Sequence, residues 1–151
     1  MKRKQFLERA TRGGLPLEFR LSTLLQAAVV TLGTLGAGGV LATSGQAELA
    51  RWQQTAGQAG DAARGQQFFA QRHGAEWSCA SCHGQPPTRE GKHAATGKAI
   101  AALAPAVNPE RLTDSAKVDK WFRRNCNDVL ARECTAIEKA DVLAYLMGLK
   151  R

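Results

Sequence analysis

Cys79-Ala80-Ser81-Cys82-His83 places two thiols three positions apart, with an imidazole directly after the second. A Cys-x-x-Cys-His run is the attachment signature of c-type haem: the thiols add across the porphyrin vinyl groups and the histidine binds the iron. Two intervening residues let both thiols face one edge of a planar macrocycle, and the adjacent His83 comes under the iron as proximal ligand. Two other chemistries use the same residue types. A Cys-x-x-Cys redox pair of the thioredoxin kind belongs near a β-α-β pattern and gains nothing from the following histidine; no strand-rich stretch surrounds this one. A zinc site would need a second ligand pair, and the adjacent Cys82 and His83 are awkward donors for one tetrahedral ion. One covalent haem c, held by Cys79, Cys82 and His83, is the expected cofactor.

The remaining question is the sixth position on the iron. Methionine is the usual choice in an electron carrier, where it raises the potential and keeps the iron closed to substrates. Apart from Met1 the only methionine is Met147, near the end of the last predicted helix, which is the place of a core or exposed residue. His73 and His93 lie so close before and after the haem motif that reaching the opposite face is difficult. A different candidate stands further on. Val118, Phe122, Asn125 and Val129 recur at spacings of four, three and four, so a helix capped by Thr113 or Asp114 has an apolar face with an amide in its middle. A buried amide needs a partner. Asn125 either bonds a backbone carbonyl or a haem propionate, or turns its side-chain oxygen to the iron. Asn127, two residues on, falls off the apolar face.

These residues must be carried to the right compartment. Residues 1–20 hold Lys2, Arg3, Lys4, Arg9, Arg12 and Arg20 against Glu8 and Glu18, and precede an uncharged stretch whose apolar part ends near Ala42. That order is the order of a secretory signal, and Val40-Leu41-Ala42 and Gly45-Gln46-Ala47 both fit a small-residue cleavage site. The rival is an uncleaved membrane anchor, since about 20 apolar residues span a bilayer; Gly33, Gly36, Gly38 and Gly39 dilute the stretch. Residues 1–42 are thus expected to be a signal peptide or N-terminal membrane anchor. Residues 43–57 are a short leading segment with a helix near 46–56, and 58–151 the monohaem domain. Either way the domain is exported, to the periplasm. Without residues 1–42 the formal charge of +8 falls to +4, from 15 basic and 11 acidic side chains, and two ionised propionates would bring it to about +2. That balance calls for no nucleic-acid partner. Lys98, Lys117, Lys120, Arg123 and Arg124 could form a docking surface for an acidic redox partner, or simply a solvated helix face.

The domain should be all-α. The chain after residue 42 is poor in β-branched and aromatic residues, so a small helical core closes only around something large and apolar, which a haem would provide. Asp61 caps the first confident helix, where Gly65 sits one turn before Phe69; a glycine inside a helix costs about 1 kcal/mol and marks close approach by another element. Thr135-Ala136-Ile137-Glu138 is a capping box, followed by Val142, Leu143, Tyr145, Leu146 and Leu149 on the last helix. First and last helices crossing at Gly65 would clamp the haem segment. Between Gly84 and Pro109 the chain is irregular. Ile100, Leu103 and Val107 are its haem contacts or ordinary core residues.

In Gly65 and Phe69, Cys79 to His83, and Asp141-Val142-Leu143-Ala144-Tyr145-Leu146, the chain resembles the class I cytochrome c fold over about residues 58–149. Trp121-Phe122-Arg123-Arg124-Asn125-Cys126-Asn127-Asp128-Val129-Leu130, followed by Arg132-Glu133-Cys134-Thr135, resembles more narrowly the sphaeroides haem protein family, a small branch of those cytochromes. The resemblance implies His and Asn iron ligands, with the Asn directly before the first cysteine of a disulfide. Here these would be His83, Asn125 and a Cys126 to Cys134 bridge. It further implies loss of the Asn on reduction, binding of small diatomics such as dioxygen or nitric oxide, and electrons from another cytochrome, often membrane-bound. A bridge over eight residues requires the chain to leave the helix between the two cysteines, because one continuous helix would hold them about 12 Å apart.

Three functions fit these residues. One is ligand binding, with or without turnover as an oxidoreductase, at an iron gated by Asn125. Another is plain electron transfer with a permanently six-coordinate iron, and a third is sensing or scavenging without turnover.

Overall fold

The computed structural model describes residues 43–74 and 76–151; the expected leader, residues 1–42, lies outside the described residues. In chain order the elements are α1 Gly45–Ala56, α2 Ala62–Ala70, α3 Cys79–His83, β1 Gly91–Lys92, β2 Ala99–Ile100, α4 Ser115–Leu130 and α5 Ala136–Gly148. The expected all-α architecture is found. The strands form one antiparallel pair, with Gly91 opposite Ile100, inside the irregular 84–109 segment. No helix among the described residues is long and apolar enough to cross a membrane.

The crossing of α2 over α5 organises the core. A Cβ at Gly65 would land on the carbonyl of Asp141, so any larger residue would force the two helices apart. Beside the contact, Phe69 and Tyr145 bring their ring centroids to 5.6 Å. The crossing is also pinned by charge. Asp141, buried in α5, accepts hydrogen bonds from the Asp61 amide at 2.6 Å and from Arg64 at 2.7 and 2.8 Å. A buried carboxylate is tolerated because those donors replace its water. Phe69, Val142, Tyr145 and Leu146 form the buried cluster, and Cys79, Ala80, Leu103 and Phe122 pack against it. The core therefore already includes part of the thiol motif.

Residues 43–57 do more than lead into the domain. Ser44 caps α1 by accepting from the Ala47 amide, and α1 lies against α5. Glu48 is completely buried. It receives Arg51 at 2.6 Å and the Ser115 hydroxyl, and Arg51 reaches on to Asp119 of α4 at 2.6 Å. The expected leading segment is thus packed into the same compact body as α4 and α5.

The segment after α4 is built from two stop signals. Asp114 starts α4, accepting from the Lys117 amide at 3.0 Å, and Ala131 ends it in the left-handed region at φ +56°. The Thr135 capping box then starts α5. Glu138 accepts from the Thr135 amide at 2.8 Å, and Thr135 Oγ1 from the Glu138 amide at 3.3 Å. The helix breaks between Cys126 and Cys134.

Candidate haem-binding site

The five residues of the thiol motif form a single helical turn, α3, held at both ends. Ser78 accepts from the Ser81 amide at 3.2 Å while Ser81 Oγ accepts from the Ser78 amide at 2.9 Å, a reciprocal cap that leaves neither donor orphaned. Gly84, at φ +74°, ends the turn. From behind, the strand pair closes in. A Cβ at Gly91 would collide with the Cys82 carbonyl, and the Ala94 amide donates to Cys82 Sγ at 3.3 Å.

The donor set suits covalent haem. Cys79 and Cys82 form no disulfide with one another. Burial pushes the Cys79 thiol up to about 11, opposite to the lowered values of a redox-active pair. Burial, helped by the charges of Arg111 and His93, brings His83 down to about 4. The imidazole is neutral at neutral pH and has a lone pair to offer. Its ring, 6.2 Å from that of Phe69, makes no hydrogen bond among the described residues. The Tyr145 hydroxyl, buried in the adjoining cluster, also lacks a partner there, as a further group at this site would explain. No cluster of three or more His, Cys, Asp or Glu among the described residues is placed to hold a metal ion.

Asn125 lies in α4 close to one turn after Phe122, itself packed on the Phe69 cluster that Cys79 and Ala80 also touch. It is half-buried, and its amide makes no hydrogen bond among the described residues; in particular no backbone carbonyl accepts from it. Asn127 is exposed. Cys126 and Cys134 form a disulfide with Cα atoms 5.5 Å apart, tying the residue after Asn125 to the start of α5.

The other candidate ligands make contacts of their own. His73 donates from Nε2 to the Phe68 carbonyl at 2.8 Å and lies 4.4 Å from the Phe68 ring. His93 Nδ1 accepts from the Ala95 and Thr96 amides, each at 3.3 Å. The Met147 sulfur packs against Gly45 at the start of α1, so Met147 is a packing residue. Of the expected loop contacts, Leu103 joins the core cluster, while Ile100 and Val107 are half-buried. On α4, Lys117 pairs with Asp114 at 3.4 Å, Arg123 with Glu133 at 3.8 Å and Arg124 with Asp128 at 4.0 Å; Lys98 and Lys120 are exposed. Sequence reasoning missed Glu48, the Asp141 to Arg64 pair and Arg111. Each has a polar side chain whose role depends on distant partners, and helix periodicity carries no such signal.

Comparison with known proteins identifies the fold and the cofactor. Residues 55–146 match the family described as a domain of unknown function, DUF1924. The cytochrome c-type protein SHP of Cereibacter sphaeroides is 49% identical over 102 residues, 65% of this chain and 78% of that protein. The structure of oxidized SHP, described as an oxygen-binding cytochrome c, superposes with a TM-score of 0.65 at 48% identity, over 70% of this chain and 96% of the other. The solution structure of cytochrome c'' from Methylophilus methylotrophus, which concerns haem-ligand detachment in that protein, gives 0.63 at 35% identity over 71% and 94%. The fold is that of cytochrome c, its cofactor is one covalent haem c, and the chain belongs to the sphaeroides haem protein family of class I c-type cytochromes.

Proposed function

We propose that this cytochrome binds small diatomic ligands, dioxygen or nitric oxide, at an axial position that Asn125 occupies in the oxidised protein and leaves on reduction. The observation that carries this reading is the half-buried Asn125 amide without a hydrogen-bond partner, set on the apolar face of α4 beside Phe122. Haem supplies a redox-active iron with one axial position on each face. His83 takes one, its neutral imidazole delivered by the same turn that presents the thiols. Asn125 offers the other a neutral, hard oxygen donor, which suits ferric better than ferrous iron by the usual matching of donor to metal. On reduction of a bound haem the amide would have less reason to stay, and the position would open. The relatives support this direction: SHP is an oxygen-binding cytochrome, and ligand detachment is the subject of the cytochrome c'' solution structure. Electrons would come from another cytochrome, membrane-bound or soluble, and turnover as an oxidoreductase would follow where a bound ligand is reduced.

The protein is read as exported to the periplasm, with cleavage after Ala42 in preference to Ala47. Cleavage after Ala47 would remove the Ser44 cap together with Thr43, whose amide donates to the Thr113 carbonyl at 2.9 Å. Mass spectrometry of the native N-terminus tests this, with Thr43 as the expected first residue; a retained Met1 would establish an anchor.

The ligand reading is tested by optical spectra of the ferric and dithionite-reduced holoprotein, with and without carbon monoxide. A high-spin ferrous spectrum that shifts promptly with carbon monoxide is expected, together with loss of the low-spin ferric spectrum in Asn125→Ala. A low-spin ferrous spectrum indifferent to carbon monoxide would return the protein to plain electron transfer.

A further inference from the structure

Glu48 of α1 is completely buried, and its carboxylate accepts from Arg51 Nε at 3.2 Å, from Arg51 Nη2 at 2.6 Å and from the Ser115 hydroxyl. Those donors replace its water and make the burial tolerable. They do not explain why a charge stands there. An apolar side chain of similar volume would pack α1 without the cost of drying a carboxylate, and such exchanges are often neutral or stabilising. What the carboxylate adds is direction: it reaches one particular residue in the first turn of α4.

Three contacts then run along α4 from α1. Glu48 holds Ser115; Arg51 donates onward to Asp119 at 2.6 and 3.5 Å; and the Trp52 ring meets Phe122 edge-on, with centroids 6.5 Å apart. Ser115, Asp119 and Phe122 follow one another at spacings of four and three, a single stripe of the helix, and Asn125 comes three positions after Phe122. Trp52 is itself held, with Arg51 and Lys139 of α5 over its ring at 4.5 and 4.0 Å. The charges on the outer side of α4 give no comparable hold. Lys117, Arg123 and Arg124 meet their carboxylates at 3.4 to 4.0 Å from exposed positions, and such pairs contribute little.

We propose that Glu48 is a positioning residue for the sixth iron ligand. Through Ser115 and the Arg51 to Asp119 pair it fixes the rotation and height of α4 against α1, and so aims Asn125 at the iron. The inference rests on the ligand reading of Asn125, and it makes residues 43–57 a working part of the ligand gate.

The test is a titration of the ferric holoprotein with cyanide, which binds where Asn125 has left the iron, read beside the high-spin fraction of the ferric spectrum. Glu48→Gln keeps the shape of the side chain but turns an N–H donor toward Arg51 or Ser115. It is expected to bind cyanide about tenfold more tightly than the parent, because a tenfold weaker hold on Asn125 raises the open fraction by the same factor. The high-spin fraction rises with it. Asp119→Asn, at the exposed end of the network, moves both readings the same way by about threefold, and it carries the test should Glu48→Gln fail to mature. Asp61→Ala removes the α2 cap, lowers stability and leaves cyanide affinity at the parent value. Asn125→Ala sets the scale of a fully open site. Cyanide affinity in Asn125→Ala no higher than in the parent would overturn the ligand reading and this inference with it. Tight binding there would overturn this inference alone in either of two cases: parental affinity in the Glu48 or substitute Asp119 variant, or an equal rise in Asp61→Ala. Glu48 would then be a packing contact of α1 only.

Discussion

The two sides of the haem site are built in opposite ways. On the proximal side, five consecutive residues hold both thiols and the imidazole in one turn, capped by Ser78 and Gly84 and backed by Gly91. On the side proposed for the second ligand, Asn125 sits in a longer helix with no covalent tie to the cofactor. Its position depends on the Asp114 cap, the Ala131 exit, the Cys126 to Cys134 bridge and the start of α5. A ligand adjacent to two covalent anchors stays with the iron at little entropic cost; a ligand carried by a separate helix is held only by that helix's own packing. The difference teaches where a change of iron oxidation state can act. It would fall on α4, not on α3.

The largest expected effect breaks the proximal side. Gly91→Val drives a side chain into the Cys82 carbonyl, and a loss of about 3 kcal/mol is expected from overpacking against backbone, read by guanidinium unfolding of the holoprotein. Next comes the other side: replacing Cys126 and Cys134 together by alanine should cost about 2 to 3 kcal/mol for so short a loop. In the same variant the ferric spectrum should show a larger high-spin fraction, because Asn125 loses the tether beside it. An unchanged ferric spectrum with lowered stability would separate the bridge from the ligand.

Thr135→Ala should cost about 1 kcal/mol by removing the α5 cap. The same cap carries a pH signature. Arg132, hydrogen-bonded at 2.6 and 2.8 Å, holds the Glu138 carboxyl below the usual range against the opposing effect of burial. A carboxylate lowered in the folded state contributes stability above its unfolded pKa and loses it as pH falls through the folded value. Acid unfolding below about pH 4.5 should therefore be shallower in Glu138→Gln than in the parent, and equal slopes would remove Glu138 from the acid transition. The smallest effect has the opposite sign. Ala131→Gly relieves a left-handed alanine, φ +56°, and should stabilise by about 0.5 to 1 kcal/mol, visible as a small rise in Tm.

Much of this was legible from short spacings. The Gly65 crossing, the α5 capping box and the apolar face of α4 each follow from residues within one or two turns, where helix geometry converts sequence interval into position. The loop between Gly84 and Pro109 was legible only as irregular; its strand pair arises because Gly91 lets the backbone reach the Cys82 carbonyl, a contact between segments that no local pattern specifies.

By itself the sequence determined the chemistry of attachment, since two thiols and an imidazole in five residues need no fold to be adjacent, and it marked Asn125 as the odd polar residue on an apolar face. Tertiary structure alone decided that Met147 packs on α1, that His73 and His93 are bound to backbone, and that Glu48 is buried against Ser115, 67 residues away. It also fixed Arg111 on the Ala101 and Ala102 carbonyls. The physical reason is range: covalent spacing sets what is near within a turn or two, whereas burial and ion pairing depend on which distant segments the core draws together.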